Sequence, residues 1–213
     1  MKLSKVVAMV VIVAGMAAAP VLAQSAKGWM VRADRSASAS DPDGAGAIKF
    51  IAMGGGFHAT NPTAAVYWNP ANTATGDYTV KGSFKLLKPS GHSNYYGLVL
   101  GGSNLDTEKQ AYLYFLVAQD GTWMISRRTP DAPQPVPVAP KMANGVVAKP
   151  GADGTSTNAL EVRVKGDKAD FVVNGTVVHS AAKAALGITT DGIVGMRVNH
   201  LLEVMITGFG ASK

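Results

Sequence analysis

The stretch 95–128, YYGLVLGGSNLDTEKQAYLYFLVAQDGTWMISRR, constrains the fold more than any other part of the chain. Residues 95–101 and 112–119 are apolar, aromatic and β-branched runs of strand length, and Asp120-Gly121 joins the second to 122–128. That dipeptide tolerates φ > 0, as a two-residue type I′ hairpin turn requires. Three antiparallel strands in the middle of a sheet are therefore expected. With Asp120 and Gly121 as the loop, Gln119 pairs with Thr122, Val117 faces Met124, Leu116 faces Ile125 and Tyr114 faces Arg127. One face then carries Leu113, Phe115, Val117 and Met124 and reads as core. The other carries Tyr112, Tyr114, Leu116, Trp123, Ile125 and Arg127, apolar bodies tipped with hydroxyls, an indole N–H and a guanidinium. It reads as half-wet, either a binding surface or a second packing surface.

The rest of the chain repeats this grammar. Turn signals recur about every eight to twelve residues and separate short strand-like runs, the spacing of an all-β sandwich. Strands are expected at 29–35, 48–53, 57–60, 64–68 and 78–87, with turns at Gly54-Gly55-Gly56, Asn61-Pro62 and 69–76. Beyond the central hairpin, 129–140 holds five of the 11 prolines and reads as a surface excursion or a sheet edge, because proline cannot donate to a ladder. A Gly-rich loop, 144–156, precedes the alternating strand 159–165, then 169–173 and 176–179, joined by Gly166-Asp167 and Asn174-Gly175. Asn174-Gly175-Thr176 also fits a glycosylation sequon, but the pair serves better as a type I′ turn. Residues 181–186 have the composition for one helical turn, and 192–199 and 202–209 close the chain as strands.

Residues 1–23 follow the order of a secretory signal peptide: Lys2 and Lys5, an apolar run, then Pro20 and the small-residue site Val21-Leu22-Ala23. Cleavage near Ala23 leaves 24–213 as one sandwich domain, periplasmic or secreted, with no membrane span. The chain has no cysteine, which excludes both a lipoprotein anchor and disulfide staples. Its formal net charge is +6 with the basic residues scattered, and no stretch interleaves them with aromatics as a nucleic-acid groove would.

The hairpin LEVRVKGDKADFVVNGTVV followed by DGIVGMRVNHLLEVMITGF resembles the closing strands of concanavalin A-like lectin and glucanase (laminin G-like) jelly rolls. With YYGLVLGG and YLYFLVAQDGTWMISRR, the resemblance extends over most of 29–209. It is similar in style to bacterial exported domains grouped with keto-disaccharide hydrolases. The resemblance implies an antiparallel two-sheet β-sandwich, a fold that hosts lectins, glycosidases and adhesion modules, so function must come from a site.

The glucanase branch carries a Glu-x-Asp-x-x-Glu strand that is absent here. Asp106 and Glu108 have the parity of a carboxylate pair but sit in the turn NLDTEKQ, and Glu161, Asp170 and Glu203 are on separate strands. The histidines, His58, His92, His179 and His200, lie at no metal-ligand spacing. Asp41-Pro42-Asp43-Gly44 has the opening of a calcium loop, yet Ala52 stands where the bidentate glutamate belongs. No cofactor or metal is expected, with calcium the exception to test. What remains is the aromatic face. Sugars stack their C–H patches on Tyr and Trp and bond to Arg and amides, so Tyr112, Tyr114, Trp123 and Arg127, with Tyr96 and Asn94 beside them, are the expected ligand-binding set. The competing reading is that these rings simply cover the sheet. A second polar set is Arg127, Arg128, Asn199 and His200 at strand ends. A non-catalytic module binding a carbohydrate or glycan-bearing partner is expected. The alternatives are a glycoside-processing enzyme on the same groove and a structural module whose aromatic face meets another subunit or a second copy.

Overall fold

Alternation along the strands becomes the division between two packed sheets. The computed structural model describes residues 24–132 and 134–213, so the signal peptide read at 1–23 lies outside the described residues. The strands are β1 (Gln24–Ser25), β2 (Met30–Asp34), β3 (Lys49–Met53), β4 (Gly56–Asn61), β5 (Ala64–Ala74), β6 (Tyr78–Lys88), β7 (Tyr95–Ser103) and β8 (Ala111–Ala118). They continue with β9 (Thr122–Arg128), β10 (Val136–Ala143), β11 (Ser156–Lys165), β12 (Lys168–Val173), β13 (Thr176–Ala182), β14 (Gly192–Val198) and β15 (Leu202–Ser212). Among the described residues the one helical piece is a 3-10 turn at Lys183–Leu186, within the Ala-rich run read as a helical turn.

An eight-stranded sheet, β1-β3-β4-β15-β6-β11-β12-β13, packs on a seven-stranded sheet, β10-β9-β8-β7-β14-β5-β2. Pairing is antiparallel apart from β1 with β3. The stretch 95–128 supplies β7 to β9, in the interior of the seven-stranded sheet as expected. The proline-rich segment ends in the edge strand β10, whose pairing with β9 shifts register twice. At β12–β13, Asn174 and Gly175 have φ of 49° and 83°, and Val173 pairs with Thr176, the geometry of a type I′ turn. Strand β5 runs past the turn expected at 69–76. Between Trp68 and Thr73 its register against β14 shifts, so Pro70 falls where the ladder asks for no N–H.

The central hairpin corrects the expected register by one residue. Val117 pairs with Trp123, Leu116 with Met124 and Tyr114 with Ser126, which leaves three loop residues, Gln119, Asp120 and Gly121. Gly121 N–H bonds the Ala118 carbonyl at 3.0 Å and Gly121 alone has positive φ, 85°, the pattern of a type I turn followed by a left-handed residue. Asp120 decides it. Its carboxylate accepts the Thr122 N–H at 3.0 Å, the Ser93 hydroxyl at 2.7 Å and Lys141 Nζ at 3.1 Å. A one-residue slip sends every side chain of β9 to the opposite face, so Trp123 and Ile125 join the core and Met124 leaves it.

Between the sheets, Leu98, Leu113, Phe115, Val117, Trp123 and Ile125 meet Phe84, Leu86, Leu160, Val162 and Phe171. At one end Phe50 stacks on Tyr67 with centroids 4.3 Å apart, flanked by Trp29 and Phe57. Buried Asn61 accepts the Tyr67 hydroxyl at 2.5 Å and donates to the Thr63 and Val198 carbonyls, both at 3.1 Å. One amide thus ties β4 of the larger sheet to β5 and β14 of the smaller, with every bond satisfied as a buried polar group requires.

Candidate functional site

The outer face of the seven-stranded sheet carries both an apolar floor and a set of charges. Tyr112, Tyr114 and Leu116 of β8 share it with Val66, Trp68, Tyr95 and Val99, and all are buried. Parity along β2 puts Arg32 and Asp34 on the same face. Arg32 lies beside Val66 of β5, Val66 beside Arg197 of β14, and Arg197 beside Gly97 of β7, which offers no side chain to fill the row. On the far side Tyr112 faces Arg128 of β9. A groove of about 690 Å³ opens between them, lined by Arg32, Asp34, Gln110, Tyr112, Arg128 and Arg197 among others.

Arg197 is the centre of this groove. Its Nη1 donates to Asp34 Oδ2 and, at 3.0 Å, to the Tyr112 hydroxyl; its Nε donates to Asn199 Oδ1 at 3.2 Å. The guanidinium also lies 5.7 Å from the centroid of the Tyr114 ring. Burial opposes its charge, but Tyr112, Asp34 and Tyr114 outweigh that and push its pKa above the ordinary arginine value. Burial pushes Tyr112 up to about 12, against the pull of Arg197, so its phenol stays protonated at neutral pH. Arg32 donates from Nη2 to Glu108 Oε1 at 2.9 Å, and Glu108 is 91% exposed at the groove's rim. Two buried polar atoms beside the groove have no hydrogen-bond partner among the described residues, Gln110 Oε1 and Arg32 Nε. Both are closed to solvent, and Arg32 Nε keeps a looser ion pair with Asp34 Oδ1 at 3.7 Å.

A smaller hollow of about 180 Å³ continues from Asp34 and Arg197 to Asn199, His200, Asp41, Asp43 and Asn94. There His200 Nε2 and His92 Nε2 both approach Asp41 Oδ1, at 3.2 and 3.0 Å. No spacing along the chain joins these residues. The signal lay in the Asp41-Pro42-Asp43-Gly44 stretch, an irregular loop whose two carboxylates both approach His200.

The expected binding residues divide between the two faces. Tyr112 and Tyr114 lie on the groove side, Tyr112 with its hydroxyl in the network and Tyr114 beneath Arg197. Tyr96 and Trp123 are in the core, 0% and 3% exposed. Arg127 is on the core side too, donating from Nη1 to the Leu186 carbonyl at 3.1 Å. The cause is the register: Tyr96 pairs with inward-facing Val117, and Trp123 follows it. Of the second polar set, Arg128 lines the groove and Asn199 and His200 the hollow. Glu161, Asp170 and Glu203 sit on the larger sheet, engaged with Arg163, Lys168 and His58. The residues that sequence reasoning missed are Arg32, Asp34, Gln110 and Arg197. Arg197 did leave a trace, as the lone charge in the otherwise apolar strand GIVGMRV.

A Bacillus subtilis structure described as carbohydrate binding module CBM66 superposes with TM-score 0.58 over 91% of this chain and 100% of its own, at 10% identity. A Bacillus subtilis protein of unknown function with a galectin-like fold gives TM-score 0.55 over 87% of this chain and 89% of its own, at 13% identity. The fold is concanavalin A-like. A putative glycosyl hydrolase from Parabacteroides distasonis is also similar, with TM-score 0.50 over 77% of this chain and 89% of its own, at 12% identity. No protein-family model and no curated protein matches the chain. At such identities the likeness of this concanavalin A-like sandwich to its neighbours is one of fold, and the site must carry the chemistry.

Proposed function

We propose that the protein is an exported carbohydrate-binding module that holds a glycan in the groove on the outer face of the seven-stranded sheet. The observation that carries the reading is the mixed lining of a groove of about 690 Å³: the fixed Arg197 guanidinium, the neutral Tyr112 phenol, the Gln110 amide and the Asp34 carboxylate. Sugars offer vicinal hydroxyls, each both donor and acceptor, which match such a mixed lining. Arg128 supplies a further fork of donors. The fold is shared with structures described as a carbohydrate binding module and as galectin-like, which supports the reading. Binding is favoured over hydrolysis by the acids. Among the described residues Asp34 is the one carboxylate lining the large groove and is clamped by Arg197, whereas glycosidases ordinarily use a pair. The test is a glycan array with the purified protein and its Arg128→Ala variant. Selective binding by the parent, weakened at least tenfold in the variant, is the expected result; a blank array, or binding indifferent to Arg128, would contradict it.

A further inference from the structure

We infer that Asp41, His92 and His200 form a binding site for a transition-metal dication of the zinc type. The three donor atoms make a nearly equilateral triangle: His92 Nε2 to His200 Nε2 is 3.3 Å, His92 Nε2 to Asp41 Oδ1 is 3.0 Å and His200 Nε2 to Asp41 Oδ1 is 3.2 Å. Bonds of about 2.0–2.1 Å at tetrahedral angles place neighbouring ligand atoms about 3.3 Å apart. An ion roughly 1 Å above the triangle would therefore reach all three at bonding distance.

Proton accounting points the same way. His200 Nδ1 lies 3.3 Å from Asp43 Oδ1 and is the nitrogen placed to donate there, which leaves Nε2 with its lone pair facing inward. Asn94 Nδ2 lies 3.0 Å from His92 Nε2 and donates to it, so that nitrogen is an acceptor as well. Two imidazole nitrogens and a carboxylate oxygen thus converge as acceptors with one donor among them, the Asn94 amide, which an ion binding His92 Nε2 would displace. Asp43 behind His200 supplies the carboxylate that fixes a metal-bound imidazole. The loop is itself held, with the Ser36 hydroxyl donating to the Asp41 carbonyl at 2.6 Å and the Ser36 N–H to Asp43 Oδ2 at 3.1 Å. His200 is buried, while Asp41 and His92 are about half exposed, so a fourth position faces solvent. Two imidazoles select zinc, copper or nickel over calcium, which takes oxygen ligands.

The test is zinc titration by calorimetry on protein purified without a polyhistidine tag, with cobalt absorption as a second readout of coordination. One zinc per chain is expected. His92→Ala, on an exposed loop, abolishes stoichiometric binding, and His58→Ala and His179→Ala leave it intact. Asp43→Asn keeps the stoichiometry with affinity reduced about 10- to 100-fold. Absence of zinc binding, or binding unchanged in His92→Ala, would overturn the inference. Neither outcome depends on whether a glycan binds in the neighbouring groove.

Discussion

The two faces of the seven-stranded sheet are built from the same strands and do opposite jobs. On the inner face Leu113, Phe115, Val117, Trp123 and Ile125 meet the other sheet through shape alone. On the outer face Tyr112, Tyr114 and Leu116 lie under an arginine, and charge decides how the rings are used. Burial by itself does not tell the faces apart, since Tyr112 is 2% exposed and Phe115 0%. What separates them is charge: Arg32, Asp34, Arg128 and Arg197 gather over the outer rings, while buried polar atoms without a hydrogen-bond partner occur on both faces, Gln110 Oε1 outside and Tyr96 Oη and Trp123 Nε1 inside.

The largest expected effect comes from damaging the inner face. Phe115→Ala leaves a cavity against Phe171 and is expected to cost about 3–5 kcal/mol, measured by urea unfolding. A loss below about 1 kcal/mol would mean that the two sheets do not share one tight core. Next is the charged pair of the outer face. Arg197→Met leaves Asp34 only the looser 3.7 Å pairing with Arg32 and should cost about 3 kcal/mol, with most of that recovered in the double variant carrying Asp34→Asn. A double variant no better than the single one would break the pairing argument.

Smaller effects sharpen the register on which the division of faces rests. Gly121→Ala must place a side chain at φ 85°, where Lys149 also lies within 2.5 Å of the added carbon, and should lose about 1–2 kcal/mol of thermal or denaturant stability. At the same turn, burial opposes ionisation of Asp120, yet hydrogen bonds from Thr122, Ser93 and Lys141 prevail and hold its carboxyl well below the usual range. A folded pKa below the unfolded one, about 3.9, stabilises the fold above that value and loses the contribution as pH falls further. Unfolding midpoints of the parent should therefore drop more steeply below pH 4 than those of Asp120→Asn. Parallel curves would show that the turn does not depend on this carboxylate.

Much of the fold was legible because strands announce themselves through alternation and turns through glycine. The run 159–165 alternates Leu160, Val162 and Val164 with charges, and β11 buries those three. Even the prolines of 129–140 signalled the edge where β10 lies. The register of the central hairpin was harder, because Asp-Gly fits a two-residue and a three-residue loop, and the choice is made by Ser93 and Lys141, far from Asp120 in sequence. That single ambiguity carried Trp123 to the wrong face. The candidate site was legible only in part for a related reason. Tyr112 declares itself as an aromatic in a strand, but its role follows from Arg197, 85 residues away. His92 and His200 meet across 108 residues and share no motif spacing.

The most direct test of the account is a hydrogen–deuterium exchange footprint with the best glycan from the array. Protection is predicted at β2, β8 and β14 and in the loop that carries Glu108 and Gln110, with the larger sheet unchanged. A footprint on the larger sheet, or none at a saturating concentration, would contradict the assignment of the groove.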